Sequence, residues 1–157
     1  MQALLYSDGC YSHKYKTGGT GSTLIMGGKK KRWGMLVAGL DAKGAEIEFI
    51  AQLEAILWFY RKAKGQVSEI DLVMFTDNDE VRRKFRGFMQ KKSQAKLPVS
   101  LRDKYNYVFD ILKEFKSWEI REEHAKGSKP MSLADKISRE HMHALRSIVI
   151  KKEPAYV

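Results

Sequence analysis

Ile70-Asp71-Leu72-Val73-Met74-Phe75-Thr76 is the stretch whose reading decides the fold. It is nearly continuously apolar, rich in branched and aromatic side chains, and too short for a helix. A run of this kind is a strand buried on both faces in the middle of a sheet. Asp77 stands where that strand should end. A second run of the same character, Gln2-Ala3-Leu4-Leu5-Tyr6-Ser7, is stopped by Asp8-Gly9, which reads as a turn.

Between these two strands the pattern changes twice. Residues 9–20, with three glycines and small polar groups, read as a loop. Ser22 to Met26 forms a second strand. Gly27-Gly28 and Lys29-Lys30-Lys31-Arg32 make a hairpin turn into a third strand through Trp33, Met35 and Val37. From Glu46 to Lys64 the apolar residues Ile50, Leu53, Leu57 and Tyr60 recur at three- and four-residue spacing, which predicts a helix stopped at Gly65.

Beyond Asp77, a short helix is expected over Asp79 to Phe88. A second follows Pro98 and Ser100, with Tyr105, Val108, Phe109, Leu112 and Phe115 on its inner stripe. Trp118 and Ile120 mark a strand ending near His124, and Ala125 to Pro130 a basic loop. Ser132 is placed to cap a last helix through Leu133, Ile137, Met142 and Leu145. The terminal residues from Ile148 either add a strand or trail off. Three early strands followed by alternating helix and strand imply an α/β fold, a mixed sheet with helices against it.

The 157 residues suit a single domain, with a core over about 1–145 and a tail over about 146–157. No apolar run approaches the length of a membrane span, so no membrane partner is expected. Cys10 is the single cysteine, which excludes an internal disulfide and a cysteine-based metal cluster. With no visible secretory signal, the expected location is cytoplasmic. Twenty-nine Lys and Arg against nineteen Asp and Glu give a net charge of +10. Such an excess favours a polyanion, nucleic acid above all; solubility or an acidic membrane surface are the alternatives. The charge is uneven: Arg82, Arg83, Lys84, Arg86, Lys91, Lys92 and Lys96 follow one another with no acid among them.

Asp8 and Asp77 share one placement, just after a buried strand, where α/β sheets commonly bind ligands or metals. Each is also suited to begin a turn or cap a helix. Glu48 and Asp135 both fall near the start of a predicted helix. Four converging carboxylates would repel one another unless divalent cations sat between them, and hard oxygen ligands suit Mg²⁺ or Mn²⁺. Composition and spacing do not establish that they converge.

The chain resembles the ribonuclease H family, within the retroviral-integrase-like nucleases, over nearly its whole length. Tyr6-Ser7-Asp8-Gly9 is similar to the family's opening strand and first catalytic aspartate. Gly19-Thr20-Gly21-Ser22-Thr23-Leu24-Ile25 resembles its glycine-rich second strand. Glu48 with Ala51 and Ala55 matches its first-helix pattern, and Thr76-Asp77-Asn78-Asp79 its strand-four aspartate. His124 and Ala134-Asp135 resemble the mobile-loop histidine and the final aspartate. Glu54, about 240° around the helix from Glu48, does not share its direction.

The resemblance implies a ribonuclease H-like fold with a five-stranded sheet, three antiparallel meander strands then two parallel ones. It implies a monomeric endoribonuclease that cuts the RNA strand of RNA–DNA hybrids, leaving 5′-phosphate and 3′-hydroxyl ends. Two Mg²⁺ ions per site, for which Mn²⁺ substitutes, would be held by Asp8, Glu48, Asp77 and Asp135, with His124 moving a proton or aiding product release. Nucleic-acid contacts are expected at Gly9, Cys10, Asn78, Arg82, Arg83, Lys84, Arg86, Lys91, Lys92 and Lys126, the basic ones gripping phosphates.

The sequence departs from the family's pattern where asparagines usually precede the helix glutamate. Lys43-Gly44-Ala45-Glu46 has none, and Met131 replaces an asparagine before the final aspartate. Two alternatives therefore stand beside the hybrid nuclease: a structure-specific DNase or resolvase-like enzyme on the same fold, and a nucleic-acid-binding module without catalysis.

Overall fold

The computed structural model describes residues 1–38 and 44–152. Five strands, β1 (Gln2–Ser12), β2 (Thr17–Met26), β3 (Lys29–Ala38), β4 (Asp71–Thr76) and β5 (Ser117–Glu122), form one sheet in the order β3-β2-β1-β4-β5. The first three pair antiparallel; β4 joins β1, and β5 joins β4, in parallel. This is the mixed sheet expected from the sequence. The helices are α1 (Gly44–Lys62), α2 (Asp79–Arg86), α3 (Lys91–Gln94), α4 (Val99–Leu112) and α5 (Lys129–Lys152). None is long and apolar enough to cross a membrane.

The double burial inferred for β4 is visible in its alternation. Leu72 and Met74 join a core with Phe49, Leu53 and Ile56 of α1 and Tyr105, Val108 and Leu112 of α4. Val73 and Phe75 face the other way, toward Tyr6 and toward Met131 and Ala134 of α5. Phe75 stacks on Tyr6 at 4.4 Å between ring centres. Adjacent side chains of a strand point to opposite faces, so one apolar run serves both layers. Phe85, fully buried, stacks on Phe109, and exposed Phe88 stacks on Tyr105, which pins the α2–α4 segment to the α1 layer.

Three expectations need correction. The strand does not stop at Asp8: β1 runs on to Ser12, because Asp8 to Ser12 pair with Gly21 to Thr17 of β2. Tertiary pairing overrides the local turn preference of Asp-Gly. The loop shrinks to residues 13–16, closed by Lys16 at φ 51°. Second, Lys29 to Arg32 belong to β3; the turn is Gly27-Gly28 alone, both at positive φ, as a two-residue hairpin requires. Charged side chains are tolerated there because β3 is an edge strand. Third, α5 begins at Lys129, and Ser128 rather than Ser132 supplies the capping oxygen, accepting the Met131 N–H. Pro130 is no obstacle in a first turn, where its missing N–H is not needed. The helix continues to Lys152, so the segment after Leu145 is helical; residues 153–157 lie outside the described residues.

Glu54 points away from Glu48 and is buried at 6% exposure, paired with Lys104 of α4. Lys104→Met leaves that carboxylate in the core without its cation. The expected cost is about 1–3 kcal/mol, discounted because the Lys104 end is partly solvated, and read as a lower urea midpoint at unchanged slope.

Candidate metal centre

The parallel ladder of β1 and β4 ends at Tyr6 opposite Phe75. Asp8 and Asp77 each follow two residues later, so the end of the ladder sets them side by side. Glu48 comes from above: it sits in the second turn of α1, which packs on β1, and its Oε2 accepts the Gly9 N–H at 3.3 Å. Gly9 has no room for a side chain, since a Cβ there would lie 2.7 Å from the Ile47 carbonyl oxygen. One carboxylate oxygen from each of Asp8, Glu48 and Asp77 lies within 4.8 Å of the other two.

Asp8 is buried, and Glu48 and Asp77 are half-buried. Burial, followed by the charges of Glu48 and Asp77, pushes the Asp8 carboxyl well above the usual range. Glu48 is raised by burial and then by Asp77. Asp77 is raised by burial, against the opposing charge of His124. With no cation among them, burial and mutual repulsion favour the protonated form of each of these acids more than in free carboxylates. Asp8 Oδ1 is buried with no hydrogen-bond partner. A buried, unpartnered oxygen on a carboxylate clustered with two others is what a hard divalent cation would satisfy.

Asp135 approaches from α5. It lies close enough to Asp8 to help raise it, but its own carboxylate is held by Arg139 one turn on, at 3.1 and 3.2 Å. Glu48 and Asp135 both lie in the second turn of their helices, near the start as expected but past the first-turn N–H groups that a helix leaves free. Arg139 escaped the sequence reading, although its four-residue spacing from Asp135 was the available signal. A second missed group is Gln52, which accepts the Ser7 hydroxyl at 2.8 Å beneath the site.

His124 is exposed just beyond β5, with Nε2 3.1 Å from a Glu122 carboxylate oxygen. Asn78 uses its side-chain oxygen to cap α2 at the Val81 N–H. Arg82 and Arg83 both pair with Asp79, and Lys84 lies 4.8 Å over the Phe49 ring. Arg86, Lys91, Lys92 and Lys126 are exposed and carry no ion pair among the described residues. Cys10 is half-buried beside the carboxylates, and burial pushes its thiol up against the pull of Arg139.

No protein-family model and no curated protein matches the sequence. Solved structures do. Ribonuclease H1 from Halobacterium salinarum superposes with a TM-score of 0.69 at 18% identity, covering 92% of this chain and 99% of that one. LC11 ribonuclease H1, from a compost metagenome and solved in complex with an RNA/DNA hybrid, gives 0.69 at 16% identity, with 92% and 99% covered. The prototype foamy virus ribonuclease H domain gives 0.63 at 16% identity, with 90% and 94% covered. At these identities the likeness is one of fold: the chain has a ribonuclease H-like fold.

Proposed function

We propose that this chain is a divalent-metal-dependent endoribonuclease that cleaves the RNA strand of RNA–DNA hybrids, leaving 5′-phosphate and 3′-hydroxyl ends. The observation that carries the reading is the convergence of Asp8, Glu48 and Asp77, with Asp8 also holding a buried oxygen that has no hydrogen-bond partner. Asp8, Glu48, Asp77 and Asp135 would hold two Mg²⁺ ions, or Mn²⁺ in their place. Bound there, the ions would supply charge neutralisation at the scissile phosphodiester and activation of water.

The remaining work falls to the chain itself. The Gly9 N–H fixes the direction of Glu48, and Arg139 holds Asp135 at the rim. His124, exposed and beside Glu122, would carry a proton between the site and solvent. Gly9, Cys10 and Asn78 would meet the substrate backbone, while Arg86, Lys91, Lys92 and Lys126 grip phosphates. Arg82, Arg83 and Lys84 join them only by giving up the Asp79 pairs and the Phe49 contact. Such phosphate contacts orient a duplex without reading its sequence.

The test is cleavage of end-labelled hybrid, duplex RNA, duplex DNA and a branched DNA junction, in Mg²⁺ and in Mn²⁺, beside Asp77→Asn. Cutting confined to the RNA strand of the hybrid, and absent in the variant, is expected. Cutting of the junction or duplex DNA instead would assign the same site to a DNase. Binding without cleavage of any substrate would make the chain a binding module.

A further inference from the structure

The end of the sheet remote from the carboxylates carries a second concentration of positive charge. Lys29, Lys30, Lys31 and Arg32 line the start of edge strand β3, and Arg61 and Lys62 end α1, with Lys64 two residues beyond. All seven are exposed, and none is in an ion pair among the described residues. β3 begins opposite Met26, whose other partner is Ala3, whereas Asp8 lies opposite Gly21. Lys62 follows Glu48 by fourteen residues of α1, about 21 Å along the helix axis. These cations therefore belong neither to the carboxylate cleft nor to the basic segment of α2 and α3.

They are also organised. Lys29 and Lys31, alternate residues of one strand, share a face about 7 Å apart. They line a cleft of 220 Å³ with Lys62. Its floor is Leu24 and Phe59, both buried, so the cleft presents ammonium groups over a firm base. Arg61, Lys62 and Lys64 offset the negative end of α1, but that role accounts for none of the four cations on β3.

We propose that this cleft is a second nucleic-acid docking surface, holding the phosphate backbone of a duplex segment separate from the one at the carboxylates. None of the large exposed apolar side chains, Met1, Leu36, Phe88, Val99, Tyr107 and Ile148, lines it. A membrane-surface site would want such groups to enter the lipid. Phosphate binding needs only the closely spaced cations.

The experiment compares the parent with Lys29→Gln/Lys31→Gln/Lys62→Gln, all at exposed positions. Labelled duplex DNA is titrated over a salt series, and cleavage of a short hybrid is measured in parallel. Removing three phosphate contacts should flatten the slope of log affinity against log salt by about 2.7 and weaken binding at 50 mM salt at least about tenfold. Hybrid cleavage should stay within about twofold of the parent, because the catalytic end is untouched. An unchanged slope would overturn the proposal. So would a parallel fall in hybrid cleavage, which would mark a general charge effect. Loss of binding to phosphatidylserine vesicles with duplex affinity intact would also overturn it, in favour of a lipid surface. If the parent cleaves no hybrid, the proposed activity fails, but the duplex titration still decides this surface.

Discussion

Replacing Asp8 by asparagine is expected to abolish cation binding and to raise the thermal midpoint measured in chelator. Both effects follow from one cause. Asp8 Oδ1 is buried without a partner, and the side chain shares its site with Glu48 and Asp77. In the absence of a cation, Asp8, Glu48 and Asp77 all have carboxyl groups raised above their ordinary values. A carboxyl raised in the folded state penalises folding once pH exceeds its unfolded value, about 4. The penalty grows until pH passes the folded value. The parent in chelator should therefore lose stability as pH rises from about 4 toward neutrality, and Asp8→Asn should lose less.

The size is about 1–2 kcal/mol at pH 7, or roughly 2–8 °C in the midpoint. Divalent cation should reverse the order by stabilising the parent and leaving the variant unmoved. Activity should fall by about 10²–10³-fold or more, since the amide removes a charge from the group facing the ion. Calorimetric scans of both proteins, in chelator and in Mg²⁺, check the pair of effects. A variant less stable than its parent in chelator would show that Asp8 is held by contacts other than those of a cation site.

The sequence was most informative where a single local property had a single tertiary meaning. The apolar run before Asp77 read as a doubly buried strand, and its alternation between the α1 and α5 layers follows directly from the pleat. The period of α1 marked a helix but not the face that meets the sheet, because residues 49–59 are buried all round; Ala51 and Ala55, both fully buried, came from the resemblance. The reading failed where local and long-range preferences conflict. Asp8-Gly9 is a good turn taken alone, yet the residues after it find strand partners in Thr17 to Gly21. Lys29 to Arg32 make an unattractive strand taken alone, but an edge position leaves their side chains in water. At the site, the resemblance put the acids in order, but only the end of the β1–β4 ladder explains why Asp8 and Asp77 meet. The Arg139 contact was legible in its four-residue spacing from Asp135 within the expected last helix, and went unread because the reading of the site rested on the acids alone.

A methyl group at Gly21 is expected to damage the fold more than most single core truncations. Gly21 pairs with Asp8 on one side and Gly34 on the other, and α5 crosses directly over it. A Cβ there would lie 2.1 Å from the Ala134 carbonyl oxygen and 2.8 Å from the Ser138 nitrogen. Both obstacles are backbone within α5, so no side-chain rotation relieves the contact and the helix itself must move. Overpacking of this kind costs about 3 kcal/mol or more, roughly 6–12 °C for a chain of this size. The displaced helix carries Asp135, so activity should fall further than the stability loss explains when assayed well below the midpoint. Gly87→Ala is the matched control: its φ of −133° suits any residue, and nothing lies within 4 Å of a Cβ there. That change should leave midpoint and activity within experimental scatter of the parent. Equal effects of the two substitutions would mean that α5 does not rest on β2 through glycine, and the approach of Asp135 to Asp8 would need another support.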